Sequence, residues 1–255
     1  MIYKLFFSAL MLVSTSFCFA QQNEIDDQGR KQGKWVKYHP NSNVPIYEGQ
    51  FIDDQPTGEF TYYYPSGKIK TIITHNHVSG RSEAYMYYEN KNLFAHGIYK
   101  NKLKDSVWTH FANNGGISYR ETYKNDTLNG EKLIYYIPEH KNQNSNAQVM
   151  SIQIFKKGRL HGETTEYFPD GTKKLEGTYV EGKFHGKVNR YHPDGKLHVI
   201  ERWNNRTKHG WWITYDANGK EVARTYYYRG EPVEGKELDK LMKRLKEEDK
   251  SPNAW

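Results

Sequence analysis

Three histidines, His161, His185 and His209, recur 24 residues apart, each one position before a glycine, and their type and regularity invite a metal reading. Elementary strand geometry speaks against it. If each repeat adds two strands at about 4.8 Å spacing, equivalent side chains lie about 10 Å apart, whereas ligands sharing a zinc at about 2.1 Å must approach within roughly 4 Å. These histidines, like His39 and His192 in their Tyr-His-Pro segments, read as turn residues. The carboxylate groupings Asp53-Asp54 and Glu247-Glu248-Asp249 fall in turn-like or tail segments, without the buried setting that separates an acid from a base. The chain has no Gly-x-Ser-x-Gly elbow, His-Glu-x-x-His pair or Gly-Lys-Ser/Thr phosphate loop, and its one cysteine is Cys18. We therefore expect a protein that is not an enzyme, with no catalytic residue, no metal and no cofactor.

The elements that position these side chains repeat. Glycine-like slots stand at Gly33, Gly58, Gly80, Ser106, Gly130, Gly162, Gly186 and Gly210, with a closing Gly235. Five residues after the slots come Tyr38, Tyr63, Tyr85, Phe111, Tyr135, Tyr167, Tyr191 and Tyr215. Seven before the next slot come Phe51, Ile73, Tyr99, Tyr123, Phe155, Tyr179, Trp203 and Tyr228. Self-similarity at this period marks a repeat architecture, in which each unit is stabilised by its neighbours. Turns such as Pro169-Asp170-Gly171 and Pro193-Asp194-Gly195 code for hairpins, and a second turn follows at Asp53-Asp54, Asn101-Lys102 or Glu181-Gly182. The expected fold is all-β: an elongated antiparallel meander of about eight stacked hairpins over residues 33–235, with the two aromatic columns as its core. Two residues after the slot an irregular set, Trp35, Phe60, Trp108 and Trp212, lies on the face opposite the tyrosines. Trp35, Trp108 and Trp212 are the candidate exposed binding anchors, because tryptophan dominates interface hot spots.

After Gly235, Leu238, Leu241, Met242 and Leu245 fall at helical spacing, so residues 236–255 are expected to form a short amphipathic helix and tail that cap the last hairpin. The interval between Gly130 and Gly162 is eight residues longer than the usual 24, which places a polar loop at 138–148. Residues 21–32 read as a flexible leader. Before them, Lys4, an apolar run and Ala20 read as a signal peptide over 1–20, cleaved near Ala20. The run is shorter than the roughly 20 residues of a membrane span, and Phe17 is bulky where lipidation at Cys18 would prefer a small residue. Export to the periplasm, cell surface or medium is expected, with a mature chain that cannot form a disulfide. The net charge is +7, with both signs interspersed. That balance suits an anionic partner such as a lipid headgroup or polysaccharide, and nothing in the chain matches a nucleic-acid reader.

Residues 179–195, YVEGKFHGKVNRYHPDG, and 123–136, YKNDTLNGEKLIYY, resemble the MORN repeat, and more closely its bacterial variant as found in the YwqK-family antitoxin-like proteins. The resemblance rests on the Tyr-x-x-Gly-x-x-x-Gly spacing and covers residues 33–235, with Ser106 departing from the glycine slot. It implies stacked hairpins in a curved sheet used for contact with protein or, in some members, membrane, and it implies no catalytic residue. The expectation is an exported scaffold or inhibitor that binds an unidentified protein; the alternative is a surface that binds glycan or anionic membrane through aromatic and basic residues.

Overall fold

The computed structural model of the protein describes residues 22–76, 78–137 and 147–253; the expected signal peptide at 1–20 and residues 138–146 of the expected polar loop lie outside them. Among the described residues, nineteen strands form one antiparallel sheet in which strands pair with their chain neighbours, save that Thr207–Lys208 and Gly210–Tyr215 both pair with Leu197–Asn204, so the fold is a meander of hairpins. One helix, Gly235–Glu247, follows. No helix among the described residues is long and apolar enough to cross a membrane.

Two turn types alternate along the sheet. In the first, the amide of Phe168 donates to the Thr172 carbonyl at 2.8 Å and that of Gly171 to Phe168 at 2.9 Å, with Gly171 at φ 88°. The second is a two-residue turn whose residues both have positive φ, 49° and 63° at Asp53 and Asp54, 51° and 69° at Asn101 and Lys102. Two positive values give a hairpin the twist its strands need, and Asn and Asp tolerate them. After the second turn most units bulge at the slot. Glu48 pairs with Thr61 but Gln50 with Thr57, which leaves two surplus residues on the strand Gln55–Tyr63.

Three expectations change. First, the series of slots skips Gly80. In that unit the strands Ile69–Asn76 and Arg81–Tyr87 pair without a shift, from Thr71 opposite Met86 to Asn76 opposite Arg81. Four residues, 77–80, therefore join them, and the two residues that other units place in the bulge lengthen the turn instead. The slot is Ser82, which lies 24 residues after Gly58 and 24 before Ser106. A ladder between units confirms the register: at slot plus six, Tyr64, Tyr88 and Tyr136 donate their hydroxyls to the carbonyls of Tyr87, Phe111 and Tyr167, each at slot plus five of the next unit, at 2.7, 3.0 and 2.8 Å.

Second, the tyrosine column is not the core. Most of it is half-buried and Tyr38 is 51% exposed, whereas slot plus two is buried in five of its eight units, at Phe60, Ala84, Trp108, Thr164 and Val188. The tyrosines project from a single-layer sheet, and among the described residues no second sheet covers them.

Third, the leader is held in place. Glu24–Ile25 pairs with the strand Lys31–Tyr38, and Asp26 accepts the Gln28 and Arg30 amides, both at 2.9 Å. Those bonds, the Arg30 amide first and then Gln32 and the Arg30 side chain, hold the Asp26 carboxyl far below the usual carboxylate range.

Candidate functional site

The buried column is built from complementary pairs. The residue at slot plus two packs against the residue eleven positions earlier on the adjoining strand: Phe60 over Gly49, Trp108 over Gly97, Val188 over Gly177, and Ala84 against Ile73. A Cβ on Gly97 would stand 2.2 Å from the Trp108 ring, and one on Gly49 2.5 Å from Phe60, so glycine is what lets the ring lie on the backbone. In the third unit the ring is reduced to Ala84 and the partner grows to Ile73. Glu121 and Lys132 replace the pair with an ion pair at 2.7 Å, and Tyr123 donates its hydroxyl to Glu121 at 2.8 Å.

This arrangement decides the fate of the three candidate tryptophans. Trp108 is fully buried, so it cannot be an exposed anchor; Trp35 and Trp212 are half-buried. All three indole N–H groups bond to backbone carbonyls, Trp35 to Gln32, Trp108 to Ile98 and Trp212 to Arg202, at 3.0 to 3.1 Å. Each ring also lies under an ammonium, Lys31, Lys104 or Lys208, at 4.7, 4.6 and 4.4 Å. The lysine stands two residues before its slot, a recurrence visible in the sequence as Lys-x-Gly/Ser-x-Trp only once the tryptophan column is read as core.

The third unit breaks the pattern and opens a cleft of about 520 Å³. In its neighbours, the residue opposite the ring-bearing position is Pro56, across from Phe51, and Lys104, across from Tyr99. Without the bulge, Ser82 takes that place across from His75, and the small Ala84 stands where Phe60 and Trp108 stand on either side. Ile73 and Tyr99 supply apolar wall, and Asn76, Asn101 and Lys102 supply a polar rim. His75 Nδ1 and Ser82 Oγ are 2.8 Å apart, and burial, with Lys102 next, lowers the His75 pKa, which favours the neutral ring. A serine beside a neutral histidine has the outline of a nucleophile and base, but among the described residues no carboxylate lines the cleft to orient the imidazole.

Comparison with known families bears on these units directly. Three segments, 56–77, 160–181 and 184–205, match the MORN repeat variant, and residues 176–187 match the MORN repeat. The matched segments are similar to MORN-type repeats. No curated protein matches the chain. Among solved structures, one titled "Crystal structure of GtfA/B complex bound to UDP and GlcNAc" is similar over 59% of this chain at 14% identity and a TM-score of 0.17. The match spans 23% of that chain, and nothing about ligand or activity follows from so weak a likeness.

The opposite face of the sheet carries the tyrosines among charges. Tyr63 and Tyr191 donate to Glu48 and Glu176, and Tyr85 stacks on His96 at 4.3 Å while both bond to Glu83. The Lys173, Tyr191 and Asn189 hydrogen bonds bring the Glu176 carboxyl down to about 2. At slot plus one, seven units have Lys34, Glu59, Glu83, Val107, Glu131, Glu163 and Lys187, all exposed; the eighth has Trp211. There the helix docks, with Leu241 and Leu245 buried on Tyr226 and flanked by Trp211, Tyr228 and Val233. His161 and His209, by contrast, share no site: His161 lies 3.5 Å from Glu181, and His209 packs on Tyr228 at 5.7 Å. Among the described residues no three His, Cys, Asp or Glu side chains converge as a metal site.

Proposed function

We propose that the protein is a non-catalytic, exported scaffold or inhibitor that binds a partner protein across its hairpin sheet. The observation that carries this reading is the one-layer sheet itself: among the described residues, the chain's own helix covers only the last hairpin, and the remaining units keep half-buried tyrosines interleaved with charges. Tyrosine set among polar groups is the composition of protein interfaces, where the ring supplies contact area at low entropic cost and the hydroxyl stays satisfied. MORN-type repeats commonly serve protein or membrane contact, which agrees with this assignment. Export rests on the Lys4, apolar run and Ala20 order.

The test is cross-linking in the native compartment, with a photoreactive residue in place of Tyr167 or Tyr191 and, as control, on the exposed helix face at Lys243. A discrete protein adduct from the sheet positions alone supports the scaffold. Adducts to lipid, or equal labelling from Lys243, would reject it. Terminal sequencing of the native chain should begin at Gln21, and recovery of Met1 from the cytosol would reject export.

A further inference from the structure

The third unit lacks what its neighbours share. Across from the ring-bearing position stand Pro56, Lys104, Leu128, Leu160, Phe184 and Lys208 in other units, each a larger side chain than serine. In the third unit the equivalent is Ser82, and the ring of slot plus two is reduced to Ala84. The cleft is therefore the space that a larger side chain fills in the other units, in one of them the ring of Phe184, stacked on Tyr179 at 4.2 Å. Its walls are Ile73 and Tyr99, and the turn that borders it carries Val78, 86% exposed. Among the described residues lining it, Lys102 is the one with a fixed charge.

We propose that this cleft receives an aromatic side chain of a partner protein, one with a carboxylate beside it to meet Lys102. The proposal rests on the scaffold reading above and gives it an anchor. Shape follows from the repeat: at the corresponding place in another unit the chain lays its own Phe184 ring on Tyr179, so a planar ring over His75, against Ile73 and Tyr99, completes the row. Charge follows from the rim, where Lys102 stands without a carboxylate among the lining residues. An inserted ring with one flanking acid is the usual form of an interface hot spot, with the anchor in a pocket and the charge at its edge.

The test uses three capped dipeptides, Trp-Glu, Trp-Lys and Leu-Glu, titrated into the isotope-labelled chain while the Ile73 methyl and Gly80 amide signals are followed. Trp-Glu should shift both signals saturably and bind about two- to fivefold more tightly than Trp-Lys, the range of an exposed ion pair. Leu-Glu should bind more weakly than Trp-Glu, and Lys102→Glu should reverse the preference between the two tryptophan peptides. Ser82→Lys restores the side chain found in the next unit and should abolish the shifts in a chain whose remaining spectrum is unchanged, whereas Ser82→Ala keeps the cleft open and should bind as the parent does. Absence of a saturable shift with Trp-Glu, or an affinity that folded Ser82→Lys leaves intact, would overturn the proposal. These results do not depend on capturing the native partner, so a scaffold reading that fails by cross-linking fails separately from the cleft.

Discussion

The third and fourth units are built on the same 24-residue period, yet one is open and the other sealed. In the fourth, Gly97 lets Trp108 lie on the backbone, Tyr99 meets its ring edge-on at 4.9 Å, and Lys104 covers it. In the third, Ile73 occupies the glycine's place, Ala84 the tryptophan's and Ser82 the lysine's. The difference teaches that bulge and core are coupled. Two surplus residues at the slot bring a long side chain across from the preceding strand; the same two residues moved into the turn leave a small one there and a cleft beside it. Sequence length is conserved while the surface changes from filled to receptive.

The strongest way to break this comparison is to empty the sealed unit. Trp108→Ala removes a fully buried ring and its hydrogen bond to Ile98, and should cost about 3–5 kcal/mol in denaturant unfolding. Tyr167→Ala, on the half-buried tyrosine column, should cost less. An equal loss at both would return the tyrosines to the core. Next comes Gly97→Ala, whose added Cβ meets the Trp108 ring at 2.2 Å and should destabilise by about 1–3 kcal/mol through overpacking. A neutral result would mean that the glycine is not what admits the ring.

How far the sequence reveals this depends on which column is read. The period, the alternating turns and the terminal helix are legible because glycine, proline and Asn/Asp mark backbone conformations that few other residues adopt. The core is hard to place from sequence because its volume is shared across two strands. Read singly, Phe60, Ala84, Trp108, Lys132 and Val188 form no pattern. Read with the residues eleven earlier, Gly49, Ile73, Gly97, Glu121 and Gly177, most keep a large side chain beside a small one, and the Glu–Lys pair substitutes charge for volume. The cleft was hidden for a related reason: Gly80 sits two residues before the true slot and imitates it, so spacing alone conceals the lost bulge.

A smaller effect is expected from the lysine lid. Lys104→Ala leaves the Trp108 ring in place but removes its ammonium contact, and should cost about 0.5–1 kcal/mol, with the loss reduced if Trp108 has already been replaced. Additive losses in the double variant would show that Lys104 acts elsewhere, for instance on Tyr123, which its ammonium also approaches at 4.9 Å.

The smallest effect separates the two units by their histidines. Both His75 and His110 titrate below the ordinary histidine value of 6.5; burial is the main cause in each, with Lys102 next for His75 and Lys104 next for His110, where Glu121 opposes it. The folded state then favours the neutral rings, so their contribution is fully present above pH 6.5 and is lost as pH falls through that value toward the folded pKa, because the unfolded chain binds protons first. Lys104→Ala should therefore raise the His110 pKa and leave His75 where it is, while Lys102→Ala should do the reverse, both followed by imidazole proton shifts. If either substitution moved both histidines together, the sealed and open units would share one electrostatic environment, and the local distinction between a lysine over a ring and a lysine at a cleft rim would fail.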